Sequence, residues 1–479
     1  MREARAVRGA RGRRTGRRAK GRATPRPPPG SSGVRATATR ARRTALVVAG
    51  TLGATIAGCA VRPAVSLAAS PQRVAAGAVP GELAVGDDGR AFLVTTERAG
   101  VAGGGGAVRL RTAAPAAGFG PARTLMRRGP GVRGMRAGVA ADGAGVIALQ
   151  TEHGTRREVR AAAFGARGRV GRPVTISLGG ANDLAALDVA PSGAAAVVWF
   201  RHGRRGRWRL EAAVREPGAT RFGPPHPLSR FVQRPCCTSV SLAVGERGDT
   251  AVTWTSTSRP VVWAALRSAG RAFRSPQTLA TDGSDAPRVA VGAGGNAAVI
   301  YSVQHVPARP DDGLQLHRAA PGAPFGHAEH VDPGRGVTIG AASVTPAGRV
   351  LVAWTDPARA TVHLSEAAPT GPLVNTGELG ASVTAGALSV AGDDDGRAVV
   401  AWPRLVSTAP AVREQAMAAT RPADGAPFGP AIPLGRPWRE ARPALAGIVA
   451  NGGALVAWTG ARYGAAARRR VTLEVTRLP

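Results

Sequence analysis

A glycine followed six residues later by an aromatic residue, with a short apolar run between them, recurs along this 479-residue chain. It reads Gly193-Ala-Ala-Ala-Val-Val-Trp199, then Gly248 to Trp254, Gly295 to Tyr301, Gly348 to Trp354, Gly396 to Trp402 and Gly452 to Trp458. Two earlier copies, Gly89 to Thr95 and Gly143 to Leu149, keep the glycine and the apolar run without the aromatic. Successive glycines are 54, 50, 55, 47, 53, 48 and 56 residues apart, and five of the eight tryptophans fill the aromatic position. A fixed core at variable spacing marks a repeat array whose insertions fall in loops.

Each copy contains four strand-like pieces. A short run such as Ser241-Leu-Ala-Val244 precedes the glycine, which suits a tight hairpin turn because it tolerates positive φ. The second piece, such as Val399-Val-Ala-Trp402, is apolar throughout and so reads as buried on both faces. A third strand follows, and a Phe-Gly pair introduces the fourth at Phe119, Phe164, Phe222, Phe325 and Phe428. The fourth copy has Phe273-Arg274 instead, and the sixth lacks a counterpart. The eighth copy stops after its third strand, while Ser70-Pro-Gln-Arg-Val74 matches Ser275-Pro-Gln-Thr-Leu279 of the fourth. Pairing the first segment with the last would close a ring and leave no long open edge. The pattern therefore predicts an all-β fold, an eight-bladed β-propeller of four-stranded blades over residues 68–479, its last blade closed by the N-terminal strand.

The formal charge of +34 divides unevenly. Residues 1–43 hold 15 basic residues and one acid, a lead expected to be disordered, and the remainder carries +20. Lys20 is the single lysine, so the excess is nearly all arginine, which resembles compositional bias more than a nucleic-acid surface. No stripe of Phe or Tyr interleaves the arginines, so no nucleic-acid partner is expected. Residues 44–58 are uncharged and largely apolar, the layout of an export signal. Their end, Ile56-Ala-Gly-Cys59, resembles the lipobox of bacterial lipoproteins. That resemblance implies cleavage before Cys59, acylation of its thiol, a tether over 59–67 and a lipid-anchored chain on the extracytoplasmic face of the cell membrane. An uncleaved signal-anchor helix from about Thr44 to Val61 is the competing reading. A start at Val34 would leave a lead of ordinary length.

The repeat grammar resembles the sialidase-like (BNR-repeat) β-propellers of exported bacterial proteins. That family's Asp box, roughly Ser-x-Asp-x-Gly-x-Thr-Trp between third and fourth strands, has degenerate equivalents in Arg215-Glu-Pro-Gly-Ala-Thr-Arg-Phe222 and Arg421-Pro-Ala-Asp-Gly-Ala-Pro-Phe428. The glycine and the aromatic remain; the serine and the ordered aspartate are lost. A sialidase of this family uses a tyrosine nucleophile, a glutamate partner and three arginines. Tyr301 occupies the repeat's aromatic position, where its hydroxyl is expected at a blade edge, and Tyr463 is the remaining tyrosine. Asp183, Asp356 and Glu440 are candidate acids for ordinary glycoside hydrolysis, which needs two carboxylates about 5–10 Å apart.

Cys236 and Cys237 adjoin just before the first strand of the fourth copy, a feature shared with some sialidase-like propellers. Adjacent Cα atoms lie about 3.8 Å apart, below the usual disulfide range, so a bridge here would be strained. A ligand surface, a stiffened loop and two reduced thiols all fit the sequence. Four histidines crowd one stretch (His305, His317, His327 and His330) without metal-site spacing, and no metal or cofactor is expected. These features predict a non-catalytic binding module for acidic or cell-wall glycans. Its ligand site would lie at the channel mouth, formed by Arg201, His202, Arg234, Cys236, Cys237 and Arg404. The alternatives are a divergent glycoside hydrolase and a scaffold for an envelope protein.

Overall fold

A computed structural model describes residues 72–478 apart from 77, 87, 98–105, 116, 130, 234–238, 257–260, 282–283, 306–311, 333–339, 357–358, 382–387, 409–411, 449–452 and 464–468. The basic lead, the export segment, Cys59 and the tether lie outside the described residues, as do Arg234, Cys236 and Cys237. The described chain forms eight separate antiparallel sheets, each a blade of four strands with one extra short strand in the third. The innermost strands are Ala78–Val85, Val132–Val139, Ala181–Val189, Val240–Val244, Ser284–Val291, Gly340–Val344, Ser389–Gly392 and Glu440–Ile448, which begin blades 1 to 8 in turn. The protein is an eight-bladed β-propeller, as the repeats predict.

The repeat glycines sit at the turns between first and second strands. Seven of them, Gly89, Gly143, Gly193, Gly248, Gly295, Gly348 and Gly396, adopt φ between +75° and +91°. A side chain there would be strained whatever the surrounding space. An arginine at the end of the third strand braces several of these turns. Arg215 donates to the Gly193 carbonyl at 2.6 Å, Arg267 to Gly248 at 3.0 Å and Arg421 to Gly396 at 2.8 Å. The aromatic six residues on is buried, and in several blades it finds a partner for its polar atom on the third strand. Trp354 donates to Ser365 Oγ at 3.0 Å and Trp199 to Glu211 Oε2 at 3.1 Å.

Because each blade is its own sheet, no backbone ladder joins one blade to the next among the described residues. The gaps are filled by apolar side chains from the second and third strands. Every one of the eight gaps has such a core, including the gap between blades 8 and 1, where Leu455, Ala457, Leu473 and Val475 meet Ala91, Leu93 and Phe119. Closure follows the expected scheme: Gln72–Ala76 pairs antiparallel with Arg469–Leu478, the third strand of blade 8. The Gln72 side chain then bonds the next blade twice, donating to the Phe119 carbonyl and accepting from the Phe119 N–H, both at 2.6 Å. Gln277 repeats this on Phe325 at 2.9 and 3.0 Å, so the sequence match between the two segments is also a structural one.

One assignment from the sequence is corrected. In five blades the residue after the signal phenylalanine donates its N–H to the penultimate carbonyl of the third strand, as Gly223 does to Val214 at 2.8 Å. In blade 2 this role belongs to Gly171, which donates to Ala163 at 2.8 Å. Phe164 instead ends the third strand, and Val170-Gly171 fills the slot given to Phe164-Gly165.

Two carboxylates on inner strands tie neighbouring blades. Glu82 accepts from the Val139 N–H at 3.0 Å and Asp188 from the Val244 N–H at 2.7 Å. Both are half-buried. A Cβ at Gly138 would collide with Glu82 and Val189, so the glycine keeps this space free. Burial, and then the charge of Asp188, raise the Glu82 pKa well above the usual range, while burial lifts Asp188 to about 6. A carboxyl raised on folding favours the folded state while protonated and costs stability as pH rises through its folded pKa. At about 1.4 kcal/mol per unit, ionised Asp188 costs up to roughly 3 kcal/mol. Asp188→Asn should therefore raise Tm above pH 6 and change it little below about pH 4, as read by thermal melts across that range. An equal effect at both pH values would remove the carboxylate as the cause.

Gln72→Ala should destabilise by about 1–3 kcal/mol, since it leaves two Phe119 backbone groups without partners. Denaturant melts beside Gln277→Ala, which loses the same bonds away from the closing blade, separate ring closure from simple hydrogen-bond loss. A smaller effect at Gln72 would remove the closing role.

Candidate functional site

The mouth of interest lies where inner strands begin and second strands end. In blade 3 the second strand, Ala195–His202, pairs with the inner strand so that His202 faces Ala181 and Phe200 faces Asp183. Residues 181 and 183 share a face, which makes His202 and Asp183 diagonal neighbours. The His202 Nε2 and the Asp183 Oδ2 are 2.7 Å apart. Across the following hairpin His202 pairs with Trp208, and their rings lie 3.3 Å apart, tilted by 44°. Phe200, two residues back, meets Trp208 edge-on at 6.2 Å.

Blade 2 completes the cluster. Asp183 Oδ1 accepts from Arg157 Nη1 at 2.6 Å and from Gln150 Nε2 at 3.0 Å, while Gln150 Oε1 accepts from the Leu184 N–H at 3.1 Å. Asn182 is fully buried, and its Nδ2 donates to the Leu178 and Arg157 carbonyls at 3.0 Å each. These bonds fix the connection between the two blades and hence the position of Asp183. An ionised carboxylate only accepts hydrogen bonds, so Asp183 holds the proton on Nε2 and leaves Nδ1 as the basic nitrogen of His202. The arrangement is an oriented base: an imidazole fixed by an acid that is itself held by an arginine and an amide.

The sequence grouped Arg201 with His202, and the structure separates them. Adjacent strand residues point to opposite faces. Arg201 turns to Glu211 at 3.3 Å, a buried carboxylate that also accepts from Trp199 and from Arg209 Nε at 2.6 Å. Its charge is committed to the blade interior. Arg404 is half-buried on the second strand of blade 7, paired in register with Gln415. Blade 7 lies across the ring from blade 3, so Arg404 and His202 do not meet. The Tyr463 side chain falls outside the described residues.

Tyr301 is buried rather than at a blade edge. Its hydroxyl bonds His317 Nε2 at 2.8 Å and the Leu279 carbonyl at 3.2 Å, and burial raises its pKa. The histidine-rich stretch is dispersed in the same manner: His317 Nδ1 lies 2.7 Å from the Gly326 carbonyl, His330 bonds Gln315 at 3.1 Å, and His305 bonds Asp312 at 2.5 Å. Among the described residues no group of three or more His, Cys, Asp or Glu is placed to hold a metal ion. No described helix is long and apolar enough to cross a membrane. Gln150, Arg157 and Trp208 escaped the sequence reading; only the hairpin register that sets Trp208 opposite His202 could have signalled one of them.

No family model matches the chain, and no curated protein matches it. Solved structures similar to it include puromycin hydrolase, at 14% identity and a TM-score of 0.42, with 80% of this chain and 58% of that one covered. Prolyl oligopeptidase B from Galerina marginata matches at 10% identity and a TM-score of 0.43, covering 80% and 55%. The acylaminoacyl peptidase of Pyrococcus horikoshii matches at 11% and 0.39, covering 80% and 57%. The chain thus spans less than two thirds of the length of these structures. Such likenesses bear on fold alone. The three named structures are hydrolases and none is a sialidase; the expectation of a non-catalytic glycan-binding module finds no support among them and is withdrawn.

Proposed function

We propose that the propeller is a hydrolase whose general base is His202 at the mouth formed by blades 2 and 3. The observation that supports this reading is the 2.7 Å pair of His202 Nε2 with Asp183 Oδ2, with Asp183 held in turn by Arg157 and Gln150. An acyl ester is the test substrate for such a base. The Nδ1 of His202 takes a proton from water as the water oxygen bonds the acyl carbon, and the imidazolium returns that proton to the departing alkoxide. Asp183 stabilises the imidazolium between the two transfers. Sialidase-type tyrosine chemistry is left out of the proposal, because the Tyr301 hydroxyl is buried and engaged. The degenerate Asp boxes support a sialidase-like blade plan and nothing more.

The test is hydrolysis of a panel of p-nitrophenyl acyl esters by the full chain, followed against pH. His202→Ala should lower kcat by 100-fold or more, and Asp183→Asn by at least 10-fold, with a melt of each variant recorded to separate lost activity from lost fold. No turnover on the panel, or turnover indifferent to His202→Ala, would sink the assignment.

We place the enzyme on the extracytoplasmic face of the cell membrane, anchored through acylated Cys59; the uncharged run ending in Ile56-Ala-Gly-Cys59 supports this. Metabolic labelling with an alkynyl fatty acid should mark the wild-type chain and leave Cys59→Ser unmarked. Equal labelling of both would refute the anchor.

A further inference from the structure

We propose that the cleft between blades 3 and 4 is a second binding site, for a small aromatic anion such as a ring carboxylate. It is a cavity of ≈ 420 Å³, within the usual range for small-molecule sites, and it shares no residue with the His202 cluster. It lies beside the outer strand of blade 3, His226–Pro227, which is two residues long. A pocket between blades 4 and 5, lined by Asp249, Leu266 and Val291 among others, holds only ≈ 10 Å³.

The lining divides by chemistry. Pro224, His226 and Phe273 form an aromatic and apolar wall, with the His226 and Phe273 rings stacked at 5.6 Å and 29°, while Phe222 borders the cavity from its packing in the gap between blades 2 and 3. Three arginines line the same cavity. Arg267 is already committed, to Glu216 of blade 3 and to the Gly248 carbonyl. Arg221 and Arg271 are exposed, and neither forms an ion pair among the described residues. Glu216 is the one acid in the lining, and Arg267 neutralises it. The site therefore offers two uncommitted guanidinium groups beside an aromatic wall. Guanidinium forks suit carboxylate oxygens, and the rings suit a planar apolar body. An inorganic anion would leave the wall unused, and a neutral aromatic would leave the arginines unused.

Titration of the full chain with 2-naphthoate, followed by ligand fluorescence, tests the site. Saturable one-to-one binding is expected, with Kd raised 10-fold or more by Arg221→Glu and by Arg271→Glu and unchanged by His202→Ala. Both arginines are exposed, so charge reversal is compatible with folding, and a melt of each variant verifies it. Neutral 2-naphthol should bind at least 10-fold more weakly than 2-naphthoate. Absence of saturable binding, indifference to both reversals in folded protein, or equal affinity for 2-naphthol would each overturn the proposal.

Discussion

The fold depends on eight sheets packing side by side with no hydrogen-bond ladder between any two of them among the described residues. A four-stranded blade has two apolar faces and cannot cover either alone, so each blade is completed only by its neighbours. In an open row the end blades would expose a face. Pairing Gln72–Ala76 with Arg469–Leu478 removes that problem, because it brings the apolar face of blade 8 against blade 1. Directional bonds then set the rotation of blade against blade: the Gln72 and Gln277 amides, Glu82 and Asp188. Apolar packing supplies the attraction, and these few polar bonds supply the register.

Much of this architecture was legible because the repeat lies on the second strand, buried on both faces and therefore confined to small apolar residues and one aromatic. The match of Ser70-Pro-Gln with Ser275-Pro-Gln was informative for a specific reason: each glutamine bonds a phenylalanine backbone in the following blade. Phe164-Gly165 misled because composition alone does not distinguish a phenylalanine that ends a strand from one that follows its turn.

The candidate site was far less legible. Arg201 and His202 are neighbours in sequence, and strand alternation sends them to opposite faces with different partners. Asp183, Gln150 and Arg157 come from three strands in two blades, so their convergence depends on register and on blade rotation, which no local motif records. Arg404 satisfied the residue type and the position within its blade but lies on the far side of the ring. In a propeller the repeat fixes where a residue sits within a blade; which residues of neighbouring blades come together is decided by strand register and blade rotation, which the repeat does not record.

The arginines at the ends of third strands give the positive charge of this chain two distinct characters. Arg215 and Arg421 are buried against turn carbonyls, and their guanidinium groups serve as fixed parts of the backbone's own hydrogen bonding. Others, such as Arg221 and Arg271, extend into solvent and carry a field that ions can reach. Added salt screens the second kind and scarcely touches the first. Raising ionic strength should therefore dim the electrostatic surface of the protein while leaving its skeleton intact, so that much of what looks like charge in the sequence behaves in the folded molecule as geometry.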